Sequence, residues 1–226
     1  MSEEASPASI AIPKPTAFSV VVFSESFKFN LAHFVAYRGF RERLHGHNYR
    51  LSIELLGSRI SSDGYVMDFG DVKTVARAAC KQLNERVVVP SKSDVLDIRP
   101  LPTKPDHTIL TCEDATVFVF PTSDCFFAPI MHSTVEEISL MMYGMIVEQL
   151  GASKLLERGI HKIKLKLSEV SGKCIWRLVP LSLSIPPSHI PSHPLAGSRT
   201  GELGRDSCHE RVRQVDVGEE RLRGDP

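Results

Sequence analysis

Hydrophobic and polar positions along this chain follow two periods, and their order predicts the elements. An apolar, β-branched run over residues 18–23 is followed by Phe27, Phe29 and Leu31, which alternate with other residues as far as His33. This predicts one long or bulged strand. Residues 47–56 (HNYRLSIELL) alternate in the same way and read as its hairpin partner, with the charged stretch 36–43 as a loop between them. Asp63-Gly64 marks a turn. Val72, Val75, Ala76, Ala79 and Leu83 then recur at helical spacing, predicting a first helix from Asp71 to about Leu83.

The second half repeats the two periods in reverse order. Residues 109–112 and 117–120 flank Glu113-Asp114-Ala115-Thr116 and predict a small hairpin inserted between helices. Ser133-Thr134-Val135-Glu136 fits a capping box, with Ser133 as the cap and Glu136 reaching back to it. Ile138, Met141, Met142, Met145, Ile146 and Leu150 then carry the apolar face of a second helix. Residues 160–167 (IHKIKLKL) alternate strictly, and after a turn at Ser171-Gly172 residues 174–179 form their partner. The order strand, strand, helix, hairpin, helix, strand, strand predicts an α+β fold: a four-stranded antiparallel sheet with two helices on one face.

The ends of the chain lack this patterning. Residues 1–16 carry Pro7, Pro13 and Pro15 and read as a flexible leader, while Pro186-Pro187, Pro191 and Pro194 open a polar segment that makes 180–226 a disordered tail. One domain is therefore expected over residues 17–179 of the 226. Lys and Arg total 27 and so do Asp and Glu, so there is no basic field to hold nucleic acid or an anionic membrane. The acidic start (Met1-Ser2-Glu3-Glu4) and the lack of any long apolar run point to a cytoplasmic protein. Five scattered cysteines, an odd number without a close-spaced pair, are expected to be reduced.

The sharpest chemical signal is Leu44-His45-Gly46-His47-Asn48-Tyr49. Residues at i and i+2 on a strand face the same way, so His45 and His47 can present two imidazoles to one metal ion, and His33 at the end of the preceding strand can add a third. Three histidines without a fourth protein ligand are the arrangement of a catalytic zinc, whose open position takes water or substrate. Two histidines at this spacing are equally a pair of hydrogen-bonded strand residues, and the spacing alone leaves both readings open.

Four segments in order, Phe29-Asn30-Leu31-Ala32-His33, the His45-Gly46-His47 motif with its neighbours, Asp63-Gly64-Tyr65-Val66-Met67-Asp68-Phe69 and Ser168-Glu169, resemble the 6-pyruvoyltetrahydropterin synthase family across about residues 18–179. The resemblance implies a tunnelling fold whose four-stranded sheets close into trimeric barrels, two of which stack as a homohexamer. It also implies Zn2+ held by His33, His45 and His47. The reaction class it implies is that of carbon–oxygen lyases that eliminate triphosphate.

Family members place a catalytic cysteine a few residues before the histidine motif, and this chain has none there; Glu42 stands three residues before His45. By spacing alone Glu42 reads as a solvated charge between Arg41 and Arg43. The loop is similar to that of a protist subfamily with glutamate at this place. That resemblance implies Glu42 as general base on 7,8-dihydroneopterin triphosphate, cleaved chiefly to the folate precursor 6-hydroxymethyl-7,8-dihydropterin, with some 6-pyruvoyltetrahydropterin. The family's proton-relaying Asp-His pair corresponds to Asn84-Glu85, and an amide cannot take that part. Glu85 or His132 are the candidates to assist.

A carboxylate can accept the adjacent N–H groups of a pterin ring in a paired contact, and the resemblance implies Glu169 in that role. Ser133 and Thr134, where the second helix starts, are candidate pterin contacts, and Lys28, Arg41 and Arg43 are basic groups for the triphosphate with none singled out. Two alternatives stay open. One is a 6-pyruvoyltetrahydropterin synthase proper, of tetrahydrobiopterin biosynthesis; the other is a pterin- and zinc-binding hexamer without turnover.

Overall fold

In the computed structural model of the chain, residues 17–169 and 174–181 are described. The leader, the Ser171-Gly172 turn and the tail beyond residue 181 lie outside them. The elements in chain order are Phe18–His33 (β1), Ala36–Tyr37 (β2), Phe40–Arg41 (β3), His45–Gly57 (β4), Phe69–Leu83 (α1), Arg86–Pro90 (β5), Leu96–Leu101 (β6), Lys104–Cys112 (β7), Val117–Pro121 (β8), Cys125–Ala128 (β9), Val135–Leu150 (α2), Ala152–Glu157 (α3), Ile160–Glu169 (β10) and Cys174–Pro180 (β11).

The four antiparallel strands expected from the alternation are present, side by side in the order β11-β10-β4-β1. The sheet is wider than expected, however: β5 and β9 continue it in parallel, giving six strands. Their sequences, RVVVP and CFFA, are too short to show a period, and parallel pairing leaves no hairpin signal at their ends. The inserted hairpin β7–β8 is also present, and β6 makes it a separate three-stranded sheet. Residues 36–43, expected as a loop, form the small hairpin β2–β3 with Gly39 at φ 78° in its turn, a conformation that favours glycine.

Burial explains the main sheet. Phe29, Leu31, Leu51, Ile53, Leu165 and Leu167 point to one face and join Val72, Ala76 and Ala79 of α1 and Met142, Met145 and Ile146 of α2 in a single core. The strand β1 keeps to this plan only because it bulges. Between Phe23 and Lys28 it advances five residues while β4 moves two, from Ser52 to Arg50, so three residues are extra. An odd insertion reverses which positions face inward: Val22 is buried before it, and Phe27, Phe29, Leu31 and His33 after it. Helix α1 starts two residues earlier than expected, capped by Asp68, whose side chain accepts the Gly70 N–H.

The start of α2 also differs from expectation by one residue. Thr134, not Ser133, is the cap, its hydroxyl accepting the Glu137 N–H, and Glu137, not Glu136, reaches back, taking the N–H groups of Met131 and His132. Ser133 is drawn away because its buried hydroxyl donates to the Phe34 carbonyl at the end of β1. A second, smaller core beneath β6–β8 gathers Phe34, Val89, Leu110 and Cys112. Strand β11 includes Pro180, and Leu181 is buried, its N–H on the His161 carbonyl. Among the described residues no helix is long and apolar enough to cross a membrane.

Candidate functional site

His33 and His45 face each other across the β1–β4 ladder, and His47 lies one inward position further along β4, opposite Leu31. All three occupy the inner face of the sheet. Their ring centroids are 4.6, 4.9 and 5.3 Å apart, and one ligand nitrogen from each falls within 4.8 Å of the others. The hydrogen bonds fix two tautomers. His33 Nδ1 donates to the Ser133 carbonyl at 2.7 Å and His45 Nδ1 to the Arg43 carbonyl at 2.7 Å, because a carbonyl can only accept. Both rings therefore turn Nε2, with its lone pair, toward the common centre.

His33 Nε2 is buried without a hydrogen-bond partner, which is costly for a polar atom unless something accepts its lone pair. Burial pushes the His33 pKa down, as do the neighbouring His45 and His47, against the Ser133 hydrogen bond and the charge of Glu42, which raise it. A neutral imidazole is the form that binds metal. An orphaned nitrogen, preset tautomers and an all-nitrogen donor set fit a zinc ion.

The carboxylate of Glu169, one-tenth exposed, comes in from the end of β10. One oxygen accepts the Tyr49 hydroxyl at 3.4 Å and the other lies 3.9 Å from His47 Nδ1. Tyr49 is buried, and burial first, then the charge and hydrogen bond of Glu169, push its pKa well up, so the phenol stays the donor. Tyr49 escaped the sequence reading, although the alternation that pairs His45 with His47 puts it next in the same row. Glu169 thus sits beside His47 and Tyr49.

Glu42 is half-buried. Its N–H donates to the Val35 carbonyl at 2.9 Å, and its carboxylate accepts the Val35 N–H at 3.0 Å. Its charge acts on the His33 ring. The flanking arginines do not pair with it: the Arg41 guanidinium turns to Asp114, 2.9 Å away. His132 donates from Nδ1 to the Ala36 carbonyl at 2.9 Å and so ties the start of α2 to the Glu42 hairpin. The hydroxyls of Ser133 and Thr134 are occupied as described, by the Phe34 carbonyl and the Glu137 N–H.

Glu85 is exposed and left-handed, with φ 59°. It shares an open depression of about 460 Å³ with Asn30, His47, Asn48, Arg86 and Asp124. Asn84 acts as a splice: its side-chain oxygen accepts the Asn30 N–H at 3.1 Å, and the Glu85 N–H donates to the Asn30 carbonyl at 2.8 Å. The two residues together satisfy the backbone of one strand residue.

Residues 23–177 match the family model described as 6-pyruvoyl tetrahydropterin synthase. The chain belongs to that family. Its function is accordingly pterin-synthase-like. Among solved structures, the Plasmodium vivax 6-pyruvoyl tetrahydropterin synthase is similar at 38% identity, covering 74% of this chain and 99% of that one with a TM-score of 0.69. The Plasmodium falciparum 6-pyruvoyl tetrahydropterin synthase gives 37% identity with the same coverage and TM-score. So does a Plasmodium vivax variant in which a catalytic glutamate is replaced by alanine. A Methanocaldococcus jannaschii protein named for 6-carboxy-5,6,7,8-tetrahydropterin synthase is 23% identical over 148 residues, 65% of this chain and 86% of that one. The synthase family and its mixed α+β fold are thereby established for this chain.

Proposed function

We propose that this synthase-family chain is a zinc-dependent lyase that cleaves 7,8-dihydroneopterin triphosphate, chiefly to 6-hydroxymethyl-7,8-dihydropterin. The observation that carries the reading is Glu42, a carboxylate in the place of the family's cysteine, held by Val35 with its charge on the His33 ring. The catalytic glutamate of the similar Plasmodium vivax enzyme supports it.

His33, His45 and His47 hold the metal, and zinc, when bound there, makes the hydroxyls of the pterin side chain more acidic. Glu42 takes the proton from the second side-chain hydroxyl. The bond between the first and second side-chain carbons then breaks, and that hydroxyl carbon leaves as the aldehyde of the phosphorylated fragment. The electron pair stays with the pterin-side carbon, which recovers a proton from Glu42, so the base is restored and hydroxymethyl remains on the ring. Glu169 anchors the pterin through the ring's adjacent N–H groups while Tyr49 steadies the carboxylate. Glu85, which shares a depression with His47, is the candidate to assist proton transfer where the family's pair is missing.

The chain works as a homohexamer in the cytoplasm. The sheet supports assembly, since its outer strands β11 and β9 pair on one side only among the described residues. Mass spectrometry of the products formed by zinc-loaded protein, beside Glu42→Ala and metal-free protein, tests the reaction. Formation of 6-hydroxymethyl-7,8-dihydropterin, lost in both controls, is the expected result. Dominant 6-pyruvoyltetrahydropterin would make the chain a synthase proper, and bound substrate without any product would leave a binding protein.

A further inference from the structure

The contact between the β2–β3 hairpin and the turn that joins β7 to β8 has no part in the chemistry described so far. Arg41 spans it. Its Nε and one terminal nitrogen lie 2.9 Å from Asp114 Oδ2, the same terminal nitrogen donates to Thr116 Oγ1 at 3.0 Å, and the other donates to the Glu42 carbonyl at 2.8 Å. The guanidinium also stands 5.6 Å from the centre of the Phe118 ring. Beside it the Gly39 N–H donates to Glu113 at 2.9 Å.

The receiving turn is itself fixed. Ala115 is left-handed at φ 62°, its N–H donates to the Cys112 carbonyl, and Asp114 accepts the Thr116 N–H with its second oxygen. A cavity of about 280 Å³, lined by Tyr37, Phe40, Val95 and Cys112 together with Arg41 and Asp114, lies along the contact. Close packing therefore does not hold the hairpin on this side, and the directed bonds of the arginine do. The residue after Arg41 is Glu42, whose backbone is thus gripped at both ends: Val35 at its N–H and Arg41 at its carbonyl.

We infer that Arg41, clamped by Asp114 and Thr116, is a positioning residue that aims the Glu42 carboxylate at the histidine centre. The inference rests on the reading of Glu42 as base. A misplacement of about 1 Å at a proton-transferring group can cost on the order of 100-fold in rate, while substrate affinity and metal binding depend on other contacts.

The experiment measures kcat, KM and zinc affinity for wild type, Arg41→Ala, Arg41→Lys and Asp114→Asn, with Arg41→Ala repeated in a Glu42→Ala background. Arg41→Ala is expected to lower kcat about 10- to 100-fold with KM and zinc affinity unchanged. Arg41→Lys recovers little of it, because an ammonium cannot reproduce the fork that serves Asp114, Thr116 and the Glu42 carbonyl together. Asp114→Asn falls between, with the same kcat-only signature, and decides the matter if Arg41→Ala does not fold. In the Glu42→Ala background the residual rate no longer responds to Arg41. An unchanged kcat in Arg41→Ala, a raised KM with unchanged kcat, or a full further drop without Glu42 would each overturn the inference. Wild-type turnover in Glu42→Ala alone would instead overturn the reading of Glu42.

Discussion

The three histidines and the glutamate beside them are held by different kinds of structure. The histidines stand on two long paired strands whose inner positions are fixed by a continuous apolar core, so the sheet sets the face from which each ring projects. Glu42 follows a two-residue strand at the edge of a small hairpin, and its place depends on the ion pair of Arg41 to a residue 73 positions after that arginine. Packing gives the metal ligands a rigid frame that tolerates changes in solution conditions. Directed polar contacts give the base an accurate but more easily altered position.

The largest way to test this contrast is to remove a ligand. His45→Ala is expected to weaken zinc binding by more than about 100-fold, beyond the 10- to 100-fold usual for a ligand's hydrogen-bond partner, as read by chelator competition. The fold is expected to survive, because His45 is at the end of β4 and outside the core. Loss of the near-native circular dichroism would mean that the strands depend on the metal.

A smaller effect is expected from Thr134→Ala, which removes the cap of α2 and costs about 1 kcal/mol in urea unfolding. The neighbouring Ser133 carbonyl, which orients His33, loosens with it, so zinc affinity is expected to fall by no more than about 10-fold. A fall as deep as that of His45→Ala would show that loops, not strands, govern the metal half.

The smallest effect concerns pH. The Arg41 guanidinium, and after it the Thr116 N–H, hold the Asp114 carboxyl down at about 2 from its ordinary 3.8. A carboxyl depressed in the folded state adds stability that is fully present above its ordinary pKa and lost as pH falls through the lower one. The stability difference between wild type and Asp114→Asn is therefore expected to stay constant above about pH 4 and to shrink toward about pH 2. A difference that already shrinks near neutral pH would place another titrating group in the clamp.

Much of the frame was legible because alternation and helical spacing are local. Residues 18–33, 47–56, 71–83, 135–150 and 160–167 announce their elements through patterns that burial then enforces. The unread parts were short or distant. Helix α3, with six residues, and strands β5 and β9 are below the length at which a period can be seen. The cap of α2 moved by one because Ser133 found the Phe34 carbonyl just after β1, a contact across 99 residues that no local pattern encodes. The pairing of Tyr49 with Glu169 was half legible, since the row of His45, His47 and Tyr49 was in the sequence and the register of β10 on β4, which sets Glu169 opposite Tyr49, was not.

The amino-acid sequence by itself determined that His45 and His47 share a face, that an apolar sheet face is covered by two helices, and which family's motifs the chain carries. These follow from backbone periods of about two and 3.6 residues, which need only neighbours in the chain. The tertiary structure decided that His33 joins them, because only the β1–β4 register, shifted by the three extra residues of the bulge, sets it opposite His45. It also decided where Glu42 is held, because Arg41 could have paired with that adjacent carboxylate and instead takes Asp114. Facing is a property of local geometry, whereas register and the choice of an ionic partner are settled only when distant segments meet.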